Sequence, residues 1–151
     1  MANIMYNKGA AEWMDPATAP GVGTWEWILE RGDAVGGSTY VPDKDHETLL
    51  NQAGWVEVSV AAYERKNLAS TTWAAVHASD LVKIDCANVD FGTLEAGQTV
   101  KSVILARNDM GNYVPFLRID TDEGGLLPRA LGGGNFQVTI NASGLLTLAQ
   151  A

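Results

Sequence analysis

The chain has little of what most catalytic and nucleic-acid sites are made from. One cysteine, Cys86, in 151 residues excludes an intrachain disulfide and any thiolate-rich zinc site. Two histidines, His46 and His77, leave little for imidazole-based metal or acid–base chemistry. Positive charge is scarce. Ten Lys and Arg stand against eighteen Asp and Glu, a net charge of −8. That excludes a surface whose main work is gripping phosphate backbones. No apolar run approaches the roughly 18 residues of a spanning helix, so no membrane segment is expected. The opening Met1 to Gly9 lacks the basic start and apolar stretch of a signal peptide. The lone cysteine fits synthesis and folding in a reducing cytosol.

What is present suits a packed β unit. Hydrophobic residues make up 46% and charged residues 19%, which excludes a disordered chain. Sixteen glycines imply many turns, and many turns in a short chain imply strands. The expected fold is mainly β, a β-sandwich or partly open barrel of about eight strands with one or two short helices. Residues 1–23 read as an N-terminal arm and loop, and 24–151 as a single β domain.

Along the chain, residues 4 to 14 read as a short helix or arm interrupted by Gly9. Thr24 to Arg31 alternates, with Trp25, Trp27 and Leu29 on one face and Glu26 and Glu30 on the other. Ser38 to Val41 reads as a short edge strand ended by Pro42. Asp43 to Ala53 predicts a helix, capped by Asp43 and ended by a left-handed Gly54. Trp55 to Arg65 predicts one long strand, with Leu68 to Val76 pairing back on it. Leu81 to Cys86 follows, then Val89 and Phe91. Thr99 to Arg107 is apolar on both faces and predicts a central strand, with Val100, Ile104 and Ala106 against Val103 and Leu105. Asn108 to Asn112 is a hairpin turn by composition. Tyr113 to Asp120 returns, and Pro115 marks a local unpaired edge. Phe136, Val138 and Ile140 point inward from a late strand, and Leu145 to Leu148 closes the chain.

The candidate chemistry is thin. Asp120, Asp122 and Glu123 before Gly124-Gly125 have the oxygen ligands calcium prefers, but their spacing reads better as a solvated turn. His46 and His77 read as surface residues. Cys86 shares the inward side of its strand with Val82 and Ile84 and reads as a small buried hydrophobe. Gly132-Gly133-Gly134 lacks the Lys-Ser/Thr ending of a phosphate loop. Asn141-Ala142-Ser143 reads as hairpin chemistry. No catalytic residue, cofactor site or metal site is assigned. Core packing accounts for most of the five Trp, but Trp13 lies on the arm, and tryptophan is enriched in interfaces. The arm has two docking places open to it, its own body or a neighbouring subunit.

Taken in order, the segments resemble a group of small virion proteins of tailed bacteriophages. The resemblance runs through Met1 to Gly9, Tyr40-Val41-Pro42 and the acidic stretch Asp43 to Ala53. It continues through Ala62-Tyr63-Glu64-Arg65-Lys66-Asn67-Leu68, where Ala62 stands in place of the usual glycine. Val89-Asp90-Phe91, Val103-Ile104-Leu105, Pro115 to Asp120, Gly132 to Gly134 and Phe136 to Leu148 complete it. The Trp-rich strand is a departure. The resemblance implies a capsid decoration or cement protein, a structural part and not an enzyme. It would be assembled in the host cytoplasm, sit on the capsid exterior and bind the major capsid protein. A homo-oligomer, dimer or trimer, is expected, with no direct nucleic-acid or membrane contact. Tyr6, Trp13 and the turn at Gly132 are the expected partner contacts, so removing residues 2 to 14 should leave the β body folded. The alternatives are a tail or baseplate component, or a carbohydrate-binding β-sandwich with exposed Trp stacking on sugar rings.

Overall fold

The computed structural model describes residues 4–20, 22–49, 52–76, 81–120, 127–140 and 146–149. The chain is mainly β, with antiparallel sheets in a sandwich-like arrangement. The elements, in order, are β1 (Ile4–Met5), α1 (Asn7–Met14), β2 (Trp25–Arg31), β3 (Lys66–Asn67), β4 (Thr72–Val76) and β5 (Leu81–Asp85). Then come β6 (Val89–Thr93), β7 (Thr99–Asp109), β8 (Asn112–Ile119), β9 (Arg129–Ala130), β10 (Asn135–Val138) and β11 (Leu146–Ala149). The largest sheet has the order β1-β8-β7-β2-β3, with β9 also on β7. Smaller sheets β10-β6 and β11-β5-β4 complete the strands described.

The central strands of the large sheet are covered on both faces, as their continuous apolar pattern requires. On one face Trp25, Trp27, Leu29, Val103 and Leu105 pack with Ile84, Cys86, Phe91 and Phe136 from the smaller sheets. On the other, Ile28, Ile104 and Ala106 pack with Leu49 and Tyr113. Val100 is on the first face, not with Ile104 as strict alternation implies. A register shift explains it: Glu30 pairs with Ser102, but Arg31 pairs with Val100, so β7 carries one extra residue at Lys101. A second shift on β8, beside Pro115, turns both Phe116 and Leu117 toward the first face. Pro115 has no amide to lose from the ladder there.

The hairpin between β7 and β8 has a two-residue loop, Met110-Gly111, with φ of 49° and 92°. Two positive φ values define a type I′ turn, which matches the right-handed twist of the strands.

Three expected elements differ. Asp43 to Ala53 is not a helix in its described residues. Asp43 caps only a local turn, its Oδ1 accepting from the Asp45 amide at 3.0 Å. The Leu49 amide, which a helix would return to Asp45, instead donates to the Tyr113 carbonyl at 2.8 Å. Burial of Leu49 under the sheet outweighs the modest helix propensity of the segment. Gly54 is left-handed as expected, at φ 77°. Ser38 to Val41 is likewise not a strand; Thr39 and Tyr40 donate to the Gly54 carbonyl.

Trp55 to Arg65 does not run as one strand. Val56 to Val58 bridges β2, the chain turns at Ala61-Ala62, and β3 resumes on β2. β4 then pairs with β5 and not with this segment. Ala62 sits at φ 63°, a left-handed conformation that costs an L-residue. Ala62→Gly should therefore raise the stability by about 0.5–1 kcal/mol, after the entropy glycine adds to the unfolded chain. Urea denaturation would show this as a higher midpoint at unchanged slope.

Candidate functional site

Among the described residues, the largest cluster of buried polar side chains lies on the second face of the large sheet. Glu30, Ser102 and Arg118 come from β2, β7 and β8 and are fully buried, with Asp120 just beyond β8. The Arg118 guanidinium donates from Nε to Glu30 Oε2 at 2.9 Å and from Nη1 to Asp120 Oδ2 at 2.6 Å. Ser102 Oγ donates to the same Glu30 oxygen at 2.5 Å, and Ser38 Oγ to Glu30 Oε1 at 2.6 Å. The extra residue in β7 lets neighbouring Lys101 and Ser102 both reach Glu30, with Lys101 Nζ 3.5 Å from Oε1. Two carboxylates thus face two cations. Burial works against the Arg118 charge, but Glu30 and Asp120 outweigh it and hold its pKa above the ordinary arginine value.

A chain of hydroxyls roofs this cluster. The Tyr6 and Tyr40 hydroxyls lie 3.1 Å apart, and Tyr40 reaches His46 Nδ1 at 2.8 Å. Burial pushes the Tyr6 hydroxyl far above the usual phenol range, and its bond to Tyr40 adds to the shift. Burial raises the Tyr40 hydroxyl too, so both tyrosines stay neutral at any physiological pH.

A second knot closes the ladder gap at the β2 edge. The Tyr63 hydroxyl accepts from the Leu29 amide at 3.0 Å and donates to Glu57 Oε1 at 2.8 Å. Arg65 grips Glu57 with both prongs, at 2.8 and 2.6 Å. Its guanidinium lies over the Tyr113 ring, 4.2 Å from the centroid. Burial, then the Glu57 charge, raises the Tyr63 hydroxyl well above the phenol range.

The expected partner contacts are placed unequally. Tyr6 and Trp13 are buried in the chain's own body, 0% and 2% exposed. Trp13 stacks on Phe116 at 4.4 Å and meets Trp25 edge-on at 4.9 Å. Their side chains are therefore spent on self-packing: the leading segment docks at home, through β1 on β8 and α1 above it. Gly132 is exposed, with open space around it.

Cys86 lies in the core as expected, and burial pushes its thiol up to about 11, so it is not a ready nucleophile. Asp120 is tied to Arg118 rather than set in a solvated turn; Asp122, Glu123, His77 and Asn141 to Ser143 lie outside the described residues. His46 is half-buried at the end of the tyrosine chain. Among the described residues no three His, Cys, Asp or Glu side chains gather into a metal-holding group. No helix among them is long and apolar enough to cross a membrane.

Sequence reasoning missed Glu30, Ser102 and Arg118. The one available signal was an arginine inside the apolar run Val114 to Ile119. A charge there needs a buried partner of opposite sign.

Comparison with protein-family models, with curated proteins and with solved structures gives no match for this chain.

Proposed function

We propose that the protein is a structural component of a tailed-phage particle, a decoration or cement protein that binds major capsid subunits on the outside of the head. The observation that carries this reading is how the buried charge is used. Glu30, Arg118 and Asp120 bond to one another, and Glu57 bonds to Arg65 and Tyr63. Such groups rigidify a body; they are not poised on a substrate. The resemblance in segment order to small virion proteins supports the same reading. The net charge of −8 suits an outer surface better than one lining DNA. A clamp that binds only the assembled shell stabilises it by mass action.

The sugar-binding alternative needs exposed indoles. Among the indoles whose burial is described, Trp13, Trp25 and Trp27 are buried and Trp55 is half-buried.

The test is co-sedimentation of the purified protein with phage heads that lack it, alongside purified tails. Saturable binding to heads, with a raised temperature of head disruption, is the expected result. Binding to tails alone would move the protein to the tail, and binding to neither would reject the reading.

A further inference from the structure

Met110 makes no sense as a folding residue. It occupies the first loop position of the type I′ turn at φ 49°, where asparagine, aspartate or glycine is favoured. A bulky side chain there is strained. It recovers nothing by burial, because Met110 is 97% exposed. Backbone strain held at an exposed apolar side chain points to a use outside the fold.

Two more exposed apolar side chains belong to the same end of the sheet. Met14 and Val22 are 68% and 69% exposed. Arg107 ties their segments to the hairpin. It bonds Glu12 at 2.5 Å, two residues before Met14, and Asp109 at 3.3 Å, next to Met110. A methyl group at Gly23, next to Val22, would lie 3.5 Å from the Arg107 side chain. The Asn108 amide donates to the Thr24 carbonyl at 2.8 Å. Glu12, Asp15 and Asp109 stand here against Arg107, with Glu26 reached through Asn108; Arg65, over the Tyr113 ring, is paired by Glu57, so the balance of the rim is acidic.

We infer that Met110, flanked by Met14 and Val22, is an apolar plug that seats in an apolar recess with a basic rim on the protein's partner. Methionine suits such a contact, since its flexible, polarisable side chain fits recesses of imperfect shape. The acidic rim selects the charge of the partner and disfavours a second copy of this chain, whose matching end is also acidic. Resting on the function proposed above, the recess belongs to a major capsid subunit.

The test uses the full chain and purified heads. Met110→Asn should raise the unfolding temperature, because asparagine accepts positive φ, and yet weaken head binding at least about tenfold. Met110→Leu should bind like the wild type. Val35→Ser changes a residue 86% exposed beyond the other end of β2 and should also leave binding unchanged. Raised salt should weaken wild-type binding, since the rims attract. If the wild type binds and Met110→Asn binds equally well, the plug is overturned while the function stands. If the wild type binds no heads, the function falls and the capsid recess with it. If Met110→Asn loses self-association rather than head binding, a second copy is the occupant and the inference is wrong.

Discussion

Replacing Arg118 with methionine should destabilise the protein by about 3–5 kcal/mol, the usual cost of removing one partner from a buried ion pair. The loss is large because of what remains. Glu30 and Asp120 are 0% and 4% exposed, and without the guanidinium they are two carboxylates in a dry site. Ser102, Ser38 and Lys101 still reach Glu30, but Asp120 loses the bond from Arg118 Nη1. The triple variant Glu30→Met, Arg118→Met, Asp120→Val should recover most of the loss. It strands the Ser38 and Ser102 hydroxyls and leaves the partly exposed Lys101 ammonium with the Ser38 carbonyl, a smaller penalty than two buried carboxylates. Urea denaturation of the wild type and both variants measures this. An Arg118→Met midpoint equal to wild type would show that the cluster carries no such energy.

The strands that were legible in the sequence are those whose side chains obey a single period. Trp25, Trp27 and Leu29 alternate into the main core, and the two-sided pattern of Val103 to Ala106 marks the centre of the sheet. Alternation fails wherever an extra residue enters a strand. Val100 changes face because of Lys101, and Phe116 joins Leu117 beside Pro115. No local pattern announces such insertions. The segment from 43 to 65 fails for another reason: its backbone bonds are long-range. The Leu49 amide goes to Tyr113, and the Leu29 amide is met by a tyrosine hydroxyl from 34 residues away. Local propensity favoured a helix and a strand, and contacts distant in sequence overrode both. The buried cluster was hidden in the same way. Glu30 looks like one of two outward glutamates until the loop bearing Ser38 and Tyr40 closes over it.

The leading segment provides the second large effect. Trp13→Ala should cost about 3–5 kcal/mol, the range for deleting a buried aromatic. The indole is 2% exposed, stacked on Phe116 and edge-on to Trp25, so truncation leaves a cavity between helix and sheet. The site cannot collapse to fill it, because Gly9 already holds α1 hard against β8. A Cβ at Gly9 would lie 2.1 Å from the Pro115 carbonyl oxygen and 2.5 Å from the Phe116 Cα. Removing residues 2 to 14 is correspondingly worse. It strips β1 from the outer edge of β8, uncovers Trp25 and Phe116, and takes the Tyr6 hydroxyl from above the Glu30–Arg118 pair. The expectation of a detachable arm therefore gives way to its opposite: the truncated chain should lose its cooperative thermal transition and bind a hydrophobic dye. A truncated chain that melts sharply, within a few degrees of the full one, would mean that the segment is a passenger. Trp13→Phe separates packing from position. It keeps an aromatic face on Phe116 while shrinking the volume, and should retain well over half of the stability lost in the alanine variant.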